Sequence, residues 1–255
     1  MGLFGKLFEK KICDVCGGEI GLLGNRKLED GNLCKECAKK LSPWFDDRRH
    51  STLEAIKEQL AYREENKNAV AAFHVTRTLG DATKVLLDED AGKFIVTSAS
   101  KWRETNPDVI DFSQVTGCRL DIDEDRTELM RDGKDGQRTS YVPKRFSYSY
   151  DFYIKINLNC PYFDEIRFRL NSSDVEMETT GGLLQGTPAK PVDYREYERM
   201  GNEIVSALTE IRQNARAEAA AANAPKTAVK CPFCGASTIP DAGGRCEYCG
   251  GALNS

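Results

Sequence analysis

Eight of the ten cysteines in this 255-residue chain fall into four Cys-x-x-Cys pairs. Cys13/Cys16 and Cys34/Cys37 are separated by seventeen residues near the N-terminus, and Cys231/Cys234 and Cys246/Cys249 by eleven near the C-terminus. A Cys-x-x-Cys turn presents two thiolates to one metal ion while its backbone amides point at the sulfurs, and two such turns complete the tetrahedral shell that zinc prefers. The spacing therefore predicts two four-cysteine sites and two Zn2+ ions per chain, with Cys13, Cys16, Cys34, Cys37, Cys231, Cys234, Cys246 and Cys249 as ligands. Redox dithiols are the competing reading of such pairs, and iron or an iron–sulfur cluster is a further one because thiolates also suit iron; the interval lengths favour zinc. A shell of four thiolates leaves no open position for a water nucleophile, so both sites read as structural. Gly17, Gly235 and Gly250 follow the second cysteine of three knuckles, where an open backbone conformation is needed.

The other reactive side chains offer no catalytic constellation. Cys118 and Cys160 stand apart from both quartets, beside strand-like sequence, and read as small core hydrophobes. His50 and His74 lack a Ser, Cys or Asp partner at a recognisable spacing. Asp88-Glu89-Asp90 and Asp123-Glu124-Asp125 lack the glycine and distal glutamate of a calcium loop and read as solvated turns. No phosphate-binding loop, nucleophile elbow or His-Glu-x-x-His motif is present. The expectation is a protein that is not an enzyme, with no catalytic residue and no organic-cofactor site.

The elements that must position the two quartets follow from periodicity. Ser51-Thr52-Leu53-Glu54 has the pattern of a capping box and opens a helix carrying Leu53, Ile56 and Leu60 on one apolar stripe towards Asn68. From about Phe73 to Leu170 the period becomes two. Lys84–Leu87 and Lys93–Thr97 flank a turn at 88–92, Val109–Ile122 changes phase in a way that predicts a bulge or turn near Gly117, and Tyr148, Tyr150, Phe152, Ile154, Ile156 and Leu158 alternate with polar residues. Ile166, Phe168 and Leu170 continue the pattern. A Gly/Pro-rich loop, Thr180–Pro191, precedes a helix from about Asp193 whose apolar face is Tyr197, Met200, Ile204, Leu208 and Ile211, extended by the alanine-rich stretch 215–224 until Pro225. The fold class is α+β: an antiparallel β-rich central domain with a C-terminal amphipathic helix, flanked by two small zinc ribbons. The domains read as a ribbon at 1–42, a connecting helix at 43–72, a β-rich body with its closing helix at 73–222, a linker at 223–230 and a second ribbon at 231–255.

Net charge is −4 and mean hydropathy −0.51, with 40% hydrophobic and 30% charged residues. The two terminal segments are slightly basic and the body is acidic, which argues against a primary nucleic-acid role, since non-specific affinity needs clustered Lys and Arg. Lys35, Lys39, Lys40, Arg48 and Arg49 give the first module only modest basic character. No apolar run is long enough to span a bilayer and no signal-peptide pattern opens the sequence, so cytoplasmic residence is the expectation, in line with metal-binding rather than disulfide-bonded cysteines.

Cys13-Asp14-Val15-Cys16-Gly17, with the run Leu28-Glu29-Asp30-Gly31-Asn32-Leu33-Cys34-Lys35-Glu36-Cys37-Ala38-Lys39-Lys40-Leu41, resembles the N-terminal zinc ribbon of an uncharacterised bacterial family classed as a domain of unknown function. Cys231-Pro232-Phe233-Cys234-Gly235 and Cys246-Glu247-Tyr248-Cys249-Gly250 are similar to the double-knuckle ribbons that end many bacterial proteins. The resemblance implies zinc coordination by the matching cysteines and no established activity. Successive antiparallel strands closed by the helix from Asp193 to about Ile211 look like a pleckstrin-homology-like (PH-like) domain, although the acidic first hairpin loop at 88–92 does not suit an anionic headgroup. The expected function is that of a zinc-binding adaptor with a protein partner. The alternatives are a peripheral membrane scaffold using the segment Gly2–Lys11, where Leu3, Phe4, Leu7 and Phe8 lie beside Lys6, Lys10 and Lys11, and a nucleic-acid-binding ribbon.

Overall fold

The computed structural model describes residues 11–133, 136–178, 190–223, 228–241 and 243–253. Most of the Gly2–Lys11 segment, most of the Thr180–Pro191 loop and residues 224–227 of the linker fall outside them. The chain divides into two compact units, Met1–Arg212 and Gln213–Ser255.

The first unit begins with two short antiparallel pairs, β1 (Lys11–Ile12) with β2 (Glu19–Ile20) and β3 (Arg26–Lys27) with β4 (Asn32–Leu33), followed by the single turn α1 (Lys35–Ala38). So short a segment buries only a small apolar cluster, made of Ile20, Leu28, Leu33 and Leu41 around Cys13 and Cys37. Ile56 of α2 (Leu53–Ala72) completes that cluster, with Leu53 and Leu60 packed against it. The first turns of α2 are thus part of the ribbon's core. The helix is capped at Thr52, whose Oγ1 accepts the Ala55 N–H at 3.2 Å, so neither Ser51 nor Glu54 forms the box their spacing suggests. It runs past Asn68 to Ala72.

Leu53, Ile56 and Leu60 form the apolar stripe read in the sequence, but the fully buried face of α2 is largely polar. It consists of Ile56, Gln59, Arg63, Asn66 and Val70, at steps of three and four residues. Arg63 Nη1 donates to Asp108 Oδ1 at 2.6 Å and Arg63 Nε to the Lys40 carbonyl at 3.2 Å, while the remaining guanidinium nitrogen reaches the Asn106 carbonyl. Ser42 Oγ donates to the other oxygen of Asp108 at 2.8 Å. Asn66 Nδ2 donates to the Pro107 carbonyl at 2.7 Å, and its Oδ1 accepts the Val109 N–H at 3.0 Å. Asn106 holds φ +50°, a left-handed conformation that asparagine tolerates better than most residues, and its Nδ2 donates to the Arg63 carbonyl at 2.9 Å. Polar groups therefore stitch together the end of the ribbon, the helix and the 106–109 loop, with Arg63, Asn66 and Asp108 partnered and Gln59 Nε2 left without a partner.

The body contains two four-stranded antiparallel sheets. In the first, β5 (Arg77–Gly80), β6 (Lys84–Asp88), β7 (Lys93–Thr97) and β8 (Ile110–Asp111) lie in sequence order, with the short helix α3 (Trp102–Thr105) between β7 and β8. In the second, β9 (Val115–Asp132) and β10 (Arg138–Leu158) form a long hairpin, and β10 also pairs with β11 (Glu165–Arg169) and β12 (Val175–Glu178). Phe94 and Ile110 from the first sheet, with Phe112 just after it, meet Phe152, Ile154, Ile156 and Ile166 from the second in one core, closed by Tyr194, Ile204 and Leu208 of α4 (Val192–Asn223). The Tyr194 ring stands edge-on to Tyr150 and Phe152, with centroids 4.8 and 5.0 Å apart. The alternation read in the sequence is the buried face of β10 and β11.

The phase change before β9 has two sources. Phe112–Gln114 forms a 3-10 turn capped by Asp111, and the pairing register jumps from Asn157↔Gly117 to Leu158↔Val115, which leaves Thr116 bulged beside Gly117. Glu89 and Asp90 form an exposed turn, as the sequence suggests, but Asp88 and the second acidic run depart from that reading. Asp88 is 3% exposed and accepts the His74 and Ala91 N–H groups at 2.8 and 3.0 Å, so it caps the hairpin from inside. Asp123-Glu124-Asp125 lies within β9. Past the residues that pair with β12, β9 and β10 continue as a two-stranded arm.

The second unit contains the end of α4 and the short pair β13 (Val229–Lys230) and β14 (Ser237–Thr238). Among the described residues, no helix is long and apolar enough to cross a membrane. The molecule is α+β, with antiparallel sheets, a C-terminal helix and cysteine clusters near both ends.

Because the Arg63 and Asp108 side chains are 7% and 0% exposed, removing one leaves a buried charge unpaired. Asp108→Ala should destabilise the first unit by about 3–5 kcal/mol, and Arg63→Met/Asp108→Leu by less than either single change. Urea unfolding followed by tryptophan fluorescence, with Trp44 and Trp102 both in this unit, measures the difference.

Candidate metal centres

Three of the four Cys-x-x-Cys turns share one backbone device. The amide of Cys13 donates to Gly18 O at 2.9 Å and that of Gly17 to Cys13 O at 2.8 Å. Cys231 and Cys246 repeat this with Ala236 and Gly235, and with Gly251 and Gly250. The glycine after the second cysteine has φ of +71°, +74° and +69° at Gly17, Gly235 and Gly250, and a Cβ there would meet nothing within 4 Å. Backbone conformation, not space, requires glycine at these positions. The fourth pair is built differently: Cys34 is the N-cap of α1, and its Sγ accepts the Cys37 N–H at 3.3 Å.

Each knuckle is fastened to its partner. Asp14 donates its N–H to Asn32 O at 2.9 Å and accepts the Asn32 N–H on Oδ2 at 2.6 Å. Gly31 leaves room for that carboxylate, which would lie 2.9 Å from a Cβ at position 31. In the C-terminal module the Phe233 ring covers Gly251, where an added Cβ would fall 2.5 Å from the ring.

The structure brings each predicted ligand set together. The Sγ atoms of Cys13, Cys16, Cys34 and Cys37 all lie within 4.8 Å of one another, and so do those of Cys231, Cys234, Cys246 and Cys249. Sulfur–sulfur distances include 3.8 Å for Cys16–Cys34, 3.6 Å for Cys231–Cys249 and 3.7 Å for Cys234–Cys246. These are far too long for a disulfide, about 2.05 Å. They match the edge of a tetrahedron of sulfurs each about 2.3 Å from a central ion, roughly 3.8 Å. The donor set fits a metal ion at both places.

Electrostatics points the same way. Burial pushes the Cys13 thiol up, but N–H groups of Cys34, Cys16 and Val15 outweigh it and bring it down to about 6. Cys37 is raised, first by burial and then by its contacts with the thiols of Cys34, Cys16 and Cys13. The second quartet repeats the contrast. Burial raises Cys231 but the amides of Cys234 and Phe233 bring it to about 6, whereas Cys249, although the Gly251 amide lowers it, is pushed up to about 12 by Cys231 and by burial. Once one thiolate forms, its neighbours resist ionisation. A central dication removes that conflict.

Residues 11–59 match the family described as Domain of unknown function (DUF4428). The matched stretch covers the whole first quartet and ends within α2, shortly after Ile56, the helical residue that completes the ribbon's core. No curated protein and no solved structure matches the chain.

The remaining reactive groups stand apart from both quartets. His50 Nδ1 lies 2.6 Å from Asp47 Oδ1 with both side chains exposed, a pairing three residues apart that no catalytic spacing announces. Cys118 and Cys160 pack against the main core. Asp14, the clamp of the first site, was invisible in the sequence: an aspartate inside a knuckle carries no spacing signal until Gly31 is seen opposite it.

Burial pushes the Cys118 thiol up to about 12. At pH 8 it should hold roughly a thousandfold less thiolate than an ordinary cysteine, and alkylation of the native protein by iodoacetamide should be slowed accordingly. Peptide mass spectrometry in native buffer and in denaturant checks this: Cys118 should be modified at an ordinary rate only after unfolding.

Proposed function

We propose that the chain is a non-enzymatic, zinc-binding adaptor whose two four-cysteine sites are structural. The observation that carries this reading is the closure of both quartets, four sulfurs within 4.8 Å in each. A tetrahedral ion held by four thiolates has no position left for substrate or water. Cys13, Cys16, Cys34 and Cys37 would hold one zinc, and Cys231, Cys234, Cys246 and Cys249 the other. The ion supplies the cross-link that a module of this size cannot obtain from apolar burial, an apparent 10–16 kcal/mol or so in comparable small domains.

An adaptor role is supported by what the rest of the molecule exposes. The β9–β10 arm carries Met130 and Val142 in solvent, 47% and 92% exposed. Arg126 lies over the Phe146 ring at 3.7 Å and Arg145 over Tyr141 at 4.6 Å. Arginine, aromatic and methionine side chains are enriched where proteins meet partners. An open cleft of about 520 Å³ between the ribbon, α2 and both sheets is lined by Trp44, Thr97, Asn106 and Phe168, and its guanidinium, Arg63, is already committed to Asp108. Binding suits such a lining better than proton transfer. A protein partner in a reducing, cytoplasmic setting, where free thiolates persist, is the reading these features support.

Elemental analysis of protein purified without added metal should find about two zinc ions per chain, and Cys234→Ser should reduce that to one. Proton NMR of the variant should show resonances of the C-terminal module collapsing to random-coil shifts while those of the first unit are unchanged. Iron in place of zinc, or loss of both ions from the single variant, counts against the proposal.

A further inference from the structure

Gly21-Leu22-Leu23-Gly24 is a tight turn closed by the Gly24 N–H to Gly21 O at 2.9 Å. Leu22 and Leu23 at its tip are 87% and 92% exposed. Single exposed leucines are ordinary, but two adjacent ones at the tip of a turn, contributing nothing to the ribbon's cluster, form a protrusion that folding does not use. Cations adjoin it. Arg26 Nη1 donates to the Leu23 carbonyl at 3.3 Å, which sets its guanidinium directly behind the tip. Arg48 Nη1 donates to the Lys27 carbonyl at 2.7 Å, and burial together with the positive charges of Arg26 and Arg49 lowers the Arg48 guanidinium, so the three arginines share one region. Of the nearby carboxylates, Asp47 faces the His50 ring and Asp30 Oδ1 accepts the Leu53 N–H at 2.7 Å.

The register of the first strand pair adds an independent observation. Lys11 pairs with Ile20, so the chain enters the ribbon beside the start of the Leu22–Leu23 turn. The residues that precede Lys11 in the sequence include Leu3, Phe4, Leu7 and Phe8 with Lys6 and Lys10.

We infer that this end of the ribbon docks on an anionic lipid surface, with Leu22 and Leu23 entering the acyl boundary and Arg26, Arg48 and Arg49 facing the headgroups. The pairing of aliphatic side chains with adjacent cations selects that occupant. A nucleic-acid backbone accounts for the arginines but leaves two leucines in water, whereas an apolar protein groove accounts for the leucines and not for the charge. Neither contact suffices alone. Two leucines give weak, reversible insertion and three cations a salt-sensitive attraction, and their attachment to one rigid turn makes the second contact intramolecular. The inference rests on the first quartet holding the ribbon in shape, as proposed above.

The test is co-sedimentation of the full chain with phosphatidylcholine vesicles, alone or with roughly one third phosphatidylserine. The expected result is binding to the mixed vesicles that weakens as salt rises, with little binding to phosphatidylcholine alone. Leu22→Ser/Leu23→Ser should reduce partitioning about tenfold or more, and Arg26→Gln/Arg49→Gln by a similar factor at low salt. The leucines are solvent-exposed, so the first variant should keep the metal content of the parent, and that measurement separates lost docking from a lost ribbon. A parent chain lacking a metal ion in the first quartet refutes the structural-site reading, whatever the vesicles show. Partitioning by both variants equal to the parent's, or no binding of the parent to mixed vesicles at low salt, overturns the docking inference.

Discussion

Four thiolates cannot share a space a few ångströms across without a counter-charge, and both ends of this protein are organised by that restriction. The amides of the knuckles each stabilise one sulfur, and the contrast between Cys13 and Cys37, or between Cys231 and Cys249, shows how far amides alone can go: one thiol ionises readily and another is held back. A dication makes all four ionised forms compatible, and its binding energy then becomes folding energy. The local backbone is arranged for that outcome. Left-handed glycines turn the chain so that amides face sulfur, and Asp14 and Phe233 fix one knuckle against the other.

The two ends use the same donor set in different surroundings. The first quartet has an apolar cluster beside it that is completed by Ile56, and the same helix carries Arg63 and Asn66 into the polar network at Asp108 and the 106–109 loop. The ribbon is thereby locked to a helix that is locked to the body. A buried ion pair of this kind adds little net stability over a well-packed apolar alternative, because desolvation offsets the attraction. Its directional bonds do restrict how the pieces can be assembled. Within the first unit, fixing the ribbon in one orientation is a better account of the network than added stability.

The sequence made some of this legible and hid the rest for identifiable reasons. Cysteine spacing marked both quartets because metal geometry needs fixed intervals and tolerates few substitutes. Period-two alternation marked β10 and β11, where one face is buried and the other is not. The polar face of α2 escaped notice because hydrophobic periodicity has nothing to report when Gln59, Arg63 and Asn66 occupy the buried positions. Partners supplied from residues 40–42 and 106–109 meet most of their polar groups, and no local window contains those partners. Asp88 misled for the same reason: an aspartate in a turn looks solvated until the His74 amide closes over it. The capping position moved from Ser51 to Thr52 because either hydroxyl can cap, and docking of Ile56 sets where the helix begins.

The long hairpin raises the question of how such a strand avoids pairing with another chain. Among the described residues β9 pairs only with β10, which leaves its far side without a strand partner. Its sequence from Arg119 to Arg126 contains Asp121, Asp123, Glu124 and Asp125, and the Thr116 bulge twists its beginning. A concentration of carboxylates on a free edge repels an identical edge, and bulges spoil the flat register that strand addition needs. Backbone pairing is therefore discouraged along the base of the hairpin. What the arm beyond it offers is side chains: arginines resting on Phe146 and Tyr141, and the exposed Met130 and Val142. Recognition there must read chemistry rather than strand edges, and an acidic base with a cation-bearing tip gives a partner a defined direction in which to lie.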